Sequence, residues 1–195
     1  LGHRRAGRGL AQADHHPAIP NGNTGDVTIT RSAIRDCGRF YLGSVGLFAG
    51  YVDNVTIADN TFSDLPYSGI SMGWGWGEED ADGGHYDVPY RYATATPAGA
   101  NRIEGNRFSR IMARMNDGGA IYTLGAMPGT ILQENQVDTS TGWPGGIYLD
   151  EGSAYIEARG NVIRNVPKPF NLNNLHQGRQ KTCLFVDNDP PVELP

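Results

Sequence analysis

Asn106-Arg107-Phe108, followed by Asp117-Gly118-Gly119-Ala120-Ile121-Tyr122, is written out again as Asn135-Gln136-Val137, followed by Gly145-Gly146-Ile147-Tyr148-Leu149-Asp150-Glu151-Gly152. Each copy has an Asn two residues before an apolar side chain, then a turn-rich gap, then an apolar strand led by glycine. A supersecondary unit repeated at a period of about 20–50 residues is the signature of a solenoid.

The unit extends in both directions. Ile29-Thr30-Arg31-Ser32-Ala33-Ile34, Ile57-Ala58-Asp59-Asn60-Thr61-Phe62, Ile103-Glu104-Gly105-Asn106-Arg107-Phe108, Leu132-Gln133-Glu134-Asn135-Gln136-Val137 and Ala158-Arg159-Gly160-Asn161-Val162-Ile163 superpose without a gap. The anchors Ser32, Asn60, Asn106, Asn135 and Asn161 lie 28, 46, 29 and 26 residues apart. The long interval reads as one coil carrying an insertion of roughly 20 residues. A second series aligns Leu47, Ile70, Ile121, Ile147 and Phe170; two places on, Ala49, Met72, Thr123, Leu149 and Leu172 are mostly apolar too. Strand side chains alternate between faces, so these two series point inward, one layer per coil.

The apolar positions recur at period 2 in short runs separated by Gly, Asn, Asp and Pro, which is a strand pattern. With 27 Gly and 12 Pro among 195 residues, no window of a dozen residues keeps a helical stripe. The period is too short for strand-helix-strand units. The expected fold is therefore all-β, a parallel β-helix of about five coils, right-handed by the rule for parallel crossovers. The recurring Asn suggests an inward amide ladder in which each side chain bonds its counterpart one coil away; ordinary turn asparagines are the alternative.

A chain of this length can bury a core as one domain. Its formal charge of −5 argues against nucleic acid, which calls for a basic face. No apolar run approaches a membrane span of about 18 residues or more, so no membrane partner is expected. Cys37 and Cys183 match no metal spacing and decide nothing about redox compartment. No metal or other cofactor is expected. Residues 1–25, with His3, His15 and His16, read as an irregular leader; 26–172 as the β-helix, with an inserted loop at 74–100; and 173–195 as an irregular tail. Neither end reads as a cap, which suggests part of a longer solenoid whose open ends could self-associate.

Pro66-Tyr67-Ser68-Gly69-Ile70-Ser71-Met72-Gly73-Trp74-Gly75-Trp76-Gly77, Asp117-Gly118-Gly119-Ala120-Ile121-Tyr122-Thr123-Leu124-Gly125 and Gly146-Ile147-Tyr148-Leu149-Asp150-Glu151-Gly152-Ser153 together resemble secreted right-handed parallel β-helix proteins of bacteria. Among these the chain is most similar to glycoside hydrolase family 141-like sequences, over roughly residues 26–172. The resemblance implies a secreted or extracellular protein, though the chain shows no signal peptide. It also implies hydrolysis of a glycosidic bond in a plant or microbial polysaccharide by acidic residues.

Glycoside hydrolysis calls for two carboxyl groups, about 5–5.5 Å apart for retention and about 6.5–9.5 Å for inversion. Asp117 and Asp150 are the candidates because each belongs to a matching glycine-rich strand motif on neighbouring coils; Glu151 is a third. Along a straight strand, however, their repeat positions would stand roughly 23 Å apart. Gly118 and Gly119 would permit a bend, and Asp117 could simply cap a turn. Tyr122 and Tyr148 occupy outward positions beside Phe48, Ser71 and Asn171, and would form an exposed aromatic step for a sugar ring. Trp74, Trp76 and His85 in the insertion complete the candidate substrate-binding set, with Glu78, Glu79, Asp80 and Asp82 a further acidic group. A polysaccharide lyase would instead need an Arg or Lys base, for which Arg110 and Arg114 are available while Lys168 and Lys181 sit outside any motif. A non-catalytic polysaccharide-binding or structural β-helix is the remaining alternative.

Overall fold

The computed structural model describes residues 24–73, 98–174 and 182–194. Among these there is no α-helix. The chain winds through three faces, each a sheet in which every neighbouring pair of strands is parallel and belongs to successive coils. The first face stacks Thr28–Thr30, Thr56–Ala58, Arg102–Glu104, Ala126–Gln133, Ala154–Arg159 and Leu184–Val186. The second stacks Ala33–Arg35, Thr61–Ser63, Arg107–Ile111, Gln136–Ser140 and Val162–Arg164. The third stacks Leu47–Ala49, Ile70–Gly73, Gly118–Leu124, Pro144–Leu149 and Lys168–Leu172. A short pair, Thr24–Gly25 with Val52–Asp53, comes first among the described residues. This is the parallel β-helix the repeat called for.

Its bends have a common backbone basis. Arg31, Asp59, Gly105, Glu134, Gly160 and Asp187 all have positive φ, between 48° and 63°, and each immediately precedes a rung of the asparagine row. A left-handed residue turns the chain sharply, and Asp and Gly tolerate that region best. Two further series bend the other corners in the same way: Asp36, Asp64, Arg110, Thr139 and Asn165, and Asp26, Asn54, Ala100, Gly129 and Tyr155.

The corner between the first and second faces holds the amide ladder. The Nδ2 groups of Asn60, Asn106, Asn135 and Asn161 donate to the Oδ1 of the next rung at 3.0, 3.1, 3.0 and 2.8 Å. Each Nδ2 also donates to a main-chain carbonyl of the preceding coil, Ile29, Ile57, Ile103 and Leu132 in turn. The Oδ1 atoms accept the rung-to-rung backbone N–H as well, so Ser32 N donates to Asn60 Oδ1 at 2.9 Å. A buried amide is tolerated only when its donors and acceptor are partnered, and here they are.

Inside run apolar columns. Leu47, Ile70, Ile121, Ile147 and Phe170 are in register on the third face, as are Ala49, Met72, Thr123, Leu149 and Leu172. Ile70, Ile121 and Ile147 are fully buried. On the second face Phe62 and Phe108 stack at 4.9 Å. Thr123, the polar member of its column, shares a hydrogen bond of 2.8 Å with Ser153.

The tail departs from the expectation of an irregular segment. Leu184–Val186 pairs with Glu157, Ala158 and Arg159, and Asn188 extends the ladder by accepting from Asn161 and donating to Ala158 O. The described residues therefore carry six rungs, from Ser32 to Asn188. Residues 98–100, read as the end of the insertion, already belong to the wall: Gly99 bridges Asp53 and Ala98 is buried. Cys37 and Cys183 are not joined by a disulfide.

Candidate active site

The outward side chains of the third face, Phe48, Ser71, Tyr122, Tyr148 and Asn171, are in register one coil apart. Tyr122 and Tyr148 meet edge to face, with ring centroids 5.1 Å apart and planes at 72°. The expected exposed step is not what forms. Tyr148 is 3% exposed and Tyr122 is half-buried. Their hydroxyls explain the difference, because both are committed to carboxylates.

Tyr122 donates its hydroxyl proton to Asp150 Oδ2 at 2.6 Å, and Asn173 Nδ2 donates to Oδ1 of the same carboxylate at 2.7 Å. Asp150 is 5% exposed, at the end of the strand Pro144–Leu149. Tyr148 donates to Asp117 Oδ1 at 3.2 Å. Asp117 is exposed and enters the strand Gly118–Leu124 with φ of 63°, a left-handed bend outside the three repeating series. Its main chain is fixed at both ends of the residue: the N–H donates to Trp143 O at 2.6 Å, and the carbonyl accepts from the Tyr67 hydroxyl at 2.6 Å. A Cβ on Gly118 would strike the Tyr67 ring and Ser68 Oγ, so glycine there is what lets Tyr67 approach.

Asp117 and Asp150 act on the same phenols. Burial first, then the charge and hydrogen bonding of Asp150, and then the charge of Asp117 hold the Tyr148 hydroxyl far above its ordinary pKa. Burial and the hydrogen bond to Asp150 do the same to Tyr122. Burial raises Tyr67 too, with both carboxylates adding. With the two rings 5.1 Å apart and each hydroxyl on its own carboxylate, Asp117 and Asp150 lie closer than the roughly 23 Å of a straight strand. The bend at Asp117 and the two phenols, reaching in opposite directions along the strand, link the groups.

Glu151 is half-buried in the turn that follows, where its carbonyl accepts from Gly125 N at 3.2 Å. Trp74, Trp76 and His85 lie outside the described residues, as do Glu78, Glu79, Asp80, Asp82 and Lys181. Arg110 pairs with Asp64 at 2.6 Å, and Arg114 makes no ion pair among the described residues. No group of three or more His, Cys, Asp or Glu side chains able to hold a metal ion occurs among the described residues.

Three residues at the site escaped the sequence reading. Tyr67 was quoted only as part of a motif, and Asn173 lay in the segment assigned to the tail. Trp143, 50% exposed, carries the carbonyl that accepts from Asp117. Its position just ahead of Pro144-Gly145-Gly146, matching Asp117 ahead of Gly118-Gly119, was the available signal.

No family model matches the chain, and no curated protein matches it. A solved structure described as "Glycoside hydrolase" superposes with a TM-score of 0.65 at 23% identity, covering 91% of this chain. The chain spans about 27% of that protein's length. At this identity the likeness shows the fold.

Proposed function

We propose that the chain forms part of a carbohydrate-active β-helix protein that hydrolyses a glycosidic bond, with Asp117 and Asp150 as the carboxyl pair. The observation that carries this reading is the tyrosine pair, rings 5.1 Å apart, whose hydroxyls bond one carboxylate each, Tyr148 to Asp117 and Tyr122 to Asp150. Two carboxyl groups on one face of the wall suit general acid-base or nucleophilic attack on an acetal. Asp117, exposed, is placed to exchange a proton with the glycosidic oxygen. Asp150, fixed by Tyr122 and Asn173, is placed to oppose the positive charge that develops on the sugar ring. Support comes also from the glycoside hydrolase that shares the fold. The finer relation, to glycoside hydrolase family 141, rests on the three motifs around Tyr67, Asp117 and Asp150, and a secreted location follows from the same resemblance. Glu151 stands in reserve as the third acid.

One observation favours a second reading. Asp150 is nearly buried and both its oxygens already accept hydrogen bonds, an arrangement that also serves a non-catalytic, polysaccharide-binding wall.

Asp117→Asn and Asp150→Asn separate the two. Acid-base groups contribute about 10²- to 10⁴-fold, so each substitution should lower turnover by that factor while circular dichroism and thermal midpoint stay near those of the parent. Reducing-sugar release from plant and microbial polysaccharides is the measurement, with the ultraviolet absorbance of an unsaturated product as the sign of a lyase instead. A parent that cleaves while Asp150→Asn retains its rate ends the assignment and passes attention to Glu151. Binding without turnover by the parent selects the second reading.

A further inference from the structure

We infer that the face beside Asp117 holds a subsite for a negatively charged sugar, a uronate, formed by Trp143 and Lys168. Its place next to the scissile bond rests on the hydrolase reading; its chemistry rests on its own contacts.

Trp143 is 50% exposed, while its outward neighbours Tyr148 and Asn171 on the third face are each less than 9% exposed. An exposed indole is usually held loosely, but this one is tied at its own peptide. Its carbonyl accepts from Asp117 N at 2.6 Å and its N–H donates to Asn116 Oδ1 at 2.9 Å. The backbone that carries the indole is therefore tied to the backbone that carries the Asp117 carboxyl group. A sugar ring stacked on the indole by its C–H face would lie alongside Asp117.

Lys168 supplies the charge. It is in register with Gly145, one coil beyond the tryptophan, and its Nζ lies 6.0 Å from the indole centroid. The ammonium donates to Asn171 Oδ1 at 2.8 Å, which fixes its direction, and it makes no ion pair among the described residues. An ammonium has three donors, so two remain for a ligand. A uronate approaching two acidic side chains, on a chain of net charge −5, is favoured by a local cation. Stacking surface, oriented cation and neighbouring acids together fit a sugar with one apolar face and one carboxylate.

The test uses the full chain carrying Asp117→Asn, so that ligands bind without being consumed. The probes are an oligogalacturonate and a xylo-oligosaccharide bearing glucuronate, each beside its carboxyl-reduced counterpart, with titration calorimetry as the readout. In at least one pair the acidic form should bind about tenfold more tightly at low salt than the reduced form, as a charge-assisted hydrogen bond implies. Adding Lys168→Gln should erase that preference with the thermal midpoint unchanged, whereas Trp143→Ala should weaken both forms. Equal binding of acidic and reduced forms overturns the inference. So does a preference that survives Lys168→Gln, or no binding to any probe. The two readings fail separately: a parent that cleaves neutral glycans without acidic preference keeps the hydrolase and loses the subsite. A uronate preference in a protein without turnover does the reverse.

Discussion

Two rows of polar side chains run along this solenoid, and they obey opposite rules. In the asparagine ladder the same group recurs at the same corner, and each amide is answered by its copy one coil away. In the row on the third face the members differ, Ser71, Tyr122, Tyr148 and Asn171, and two of them reach sideways to carboxylates that occupy unlike places in the repeat. Identical partners stacked at strand spacing satisfy one another and leave nothing over for a ligand. Unlike partners leave an exposed carboxylate, Asp117, at the edge of the row. Repetition here marks what holds the wall together, and departure from it marks where chemistry can occur.

The sharpest way to break the ladder side of this contrast is Asn135→Ala. It deletes four side-chain hydrogen bonds: those accepted from Asn106 N and Nδ2, and those donated to Ile103 O and Asn161 Oδ1. Their neighbours are left unpaired in a site with no exposure. A loss of about 3–5 kcal/mol in urea denaturation is expected; a loss below about 1 kcal/mol would mean that the ladder is ornamental.

The tyrosine row should reveal itself in alkali. Tyr67, Tyr122 and Tyr148 have folded pKa values raised above the ordinary 10, first by burial and then by the carboxylates. A raised value means that the folded state holds the proton longer. The associated stability is intact below about pH 10 and is lost as the pH climbs beyond it. A spectrophotometric titration should find three phenols that ionise only as the protein unfolds. Tyr122→Phe should remove one of them and leave Asp150 short of a donor. Three phenols that titrate reversibly near pH 10 with the fold intact would dissolve the proposed row.

The smallest effect belongs to the surface. Arg110 holds the Asp64 carboxyl at about 2, so whatever stability the pair adds is present above pH 3.8 and lost as pH falls toward 2. Both partners are exposed to solvent and salt. Asp64→Asn should leave the thermal midpoint within error of the parent. A clear fall in midpoint would show that this corner contributes more than exposed pairs usually do.

Much of the wall was legible because the repeat states it many times. Five anchors in alignment gave the ladder, and two apolar series gave the interior register, since period-2 alternation over one strand is confirmed by every other coil. Asn188 was missed because Pro190-Pro191 follow it where the other coils place apolar residues, although Phe185-Val186-Asp187-Asn188 repeats the pattern of Leu132-Gln133-Glu134-Asn135. Asp117 and Asp150 stood out as residue types, while the hydrogen bonds from the phenols that hold them were not legible. A straight-strand ruler cannot register the bend at Asp117, and no periodicity shows which way a phenol leans. Tyr148 was assigned outward correctly, yet an outward position is not an exposed one once its hydroxyl is drawn to carboxylates.

The ladder closes at 3.0 Å between Asn60 and Asn106, 46 positions apart, and at 3.0 Å between Asn135 and Asn161, 26 positions apart. The wall keeps no memory of how much chain passes between two rungs. Closing a longer excursion is inexpensive, about 0.6 kcal/mol for each doubling of length. Mutation can therefore lengthen, shorten or rewrite the segment leaving Gly73 while selection sees an unchanged scaffold. In an architecture of this kind, new specificities can be tried at one corner without renegotiating the fold.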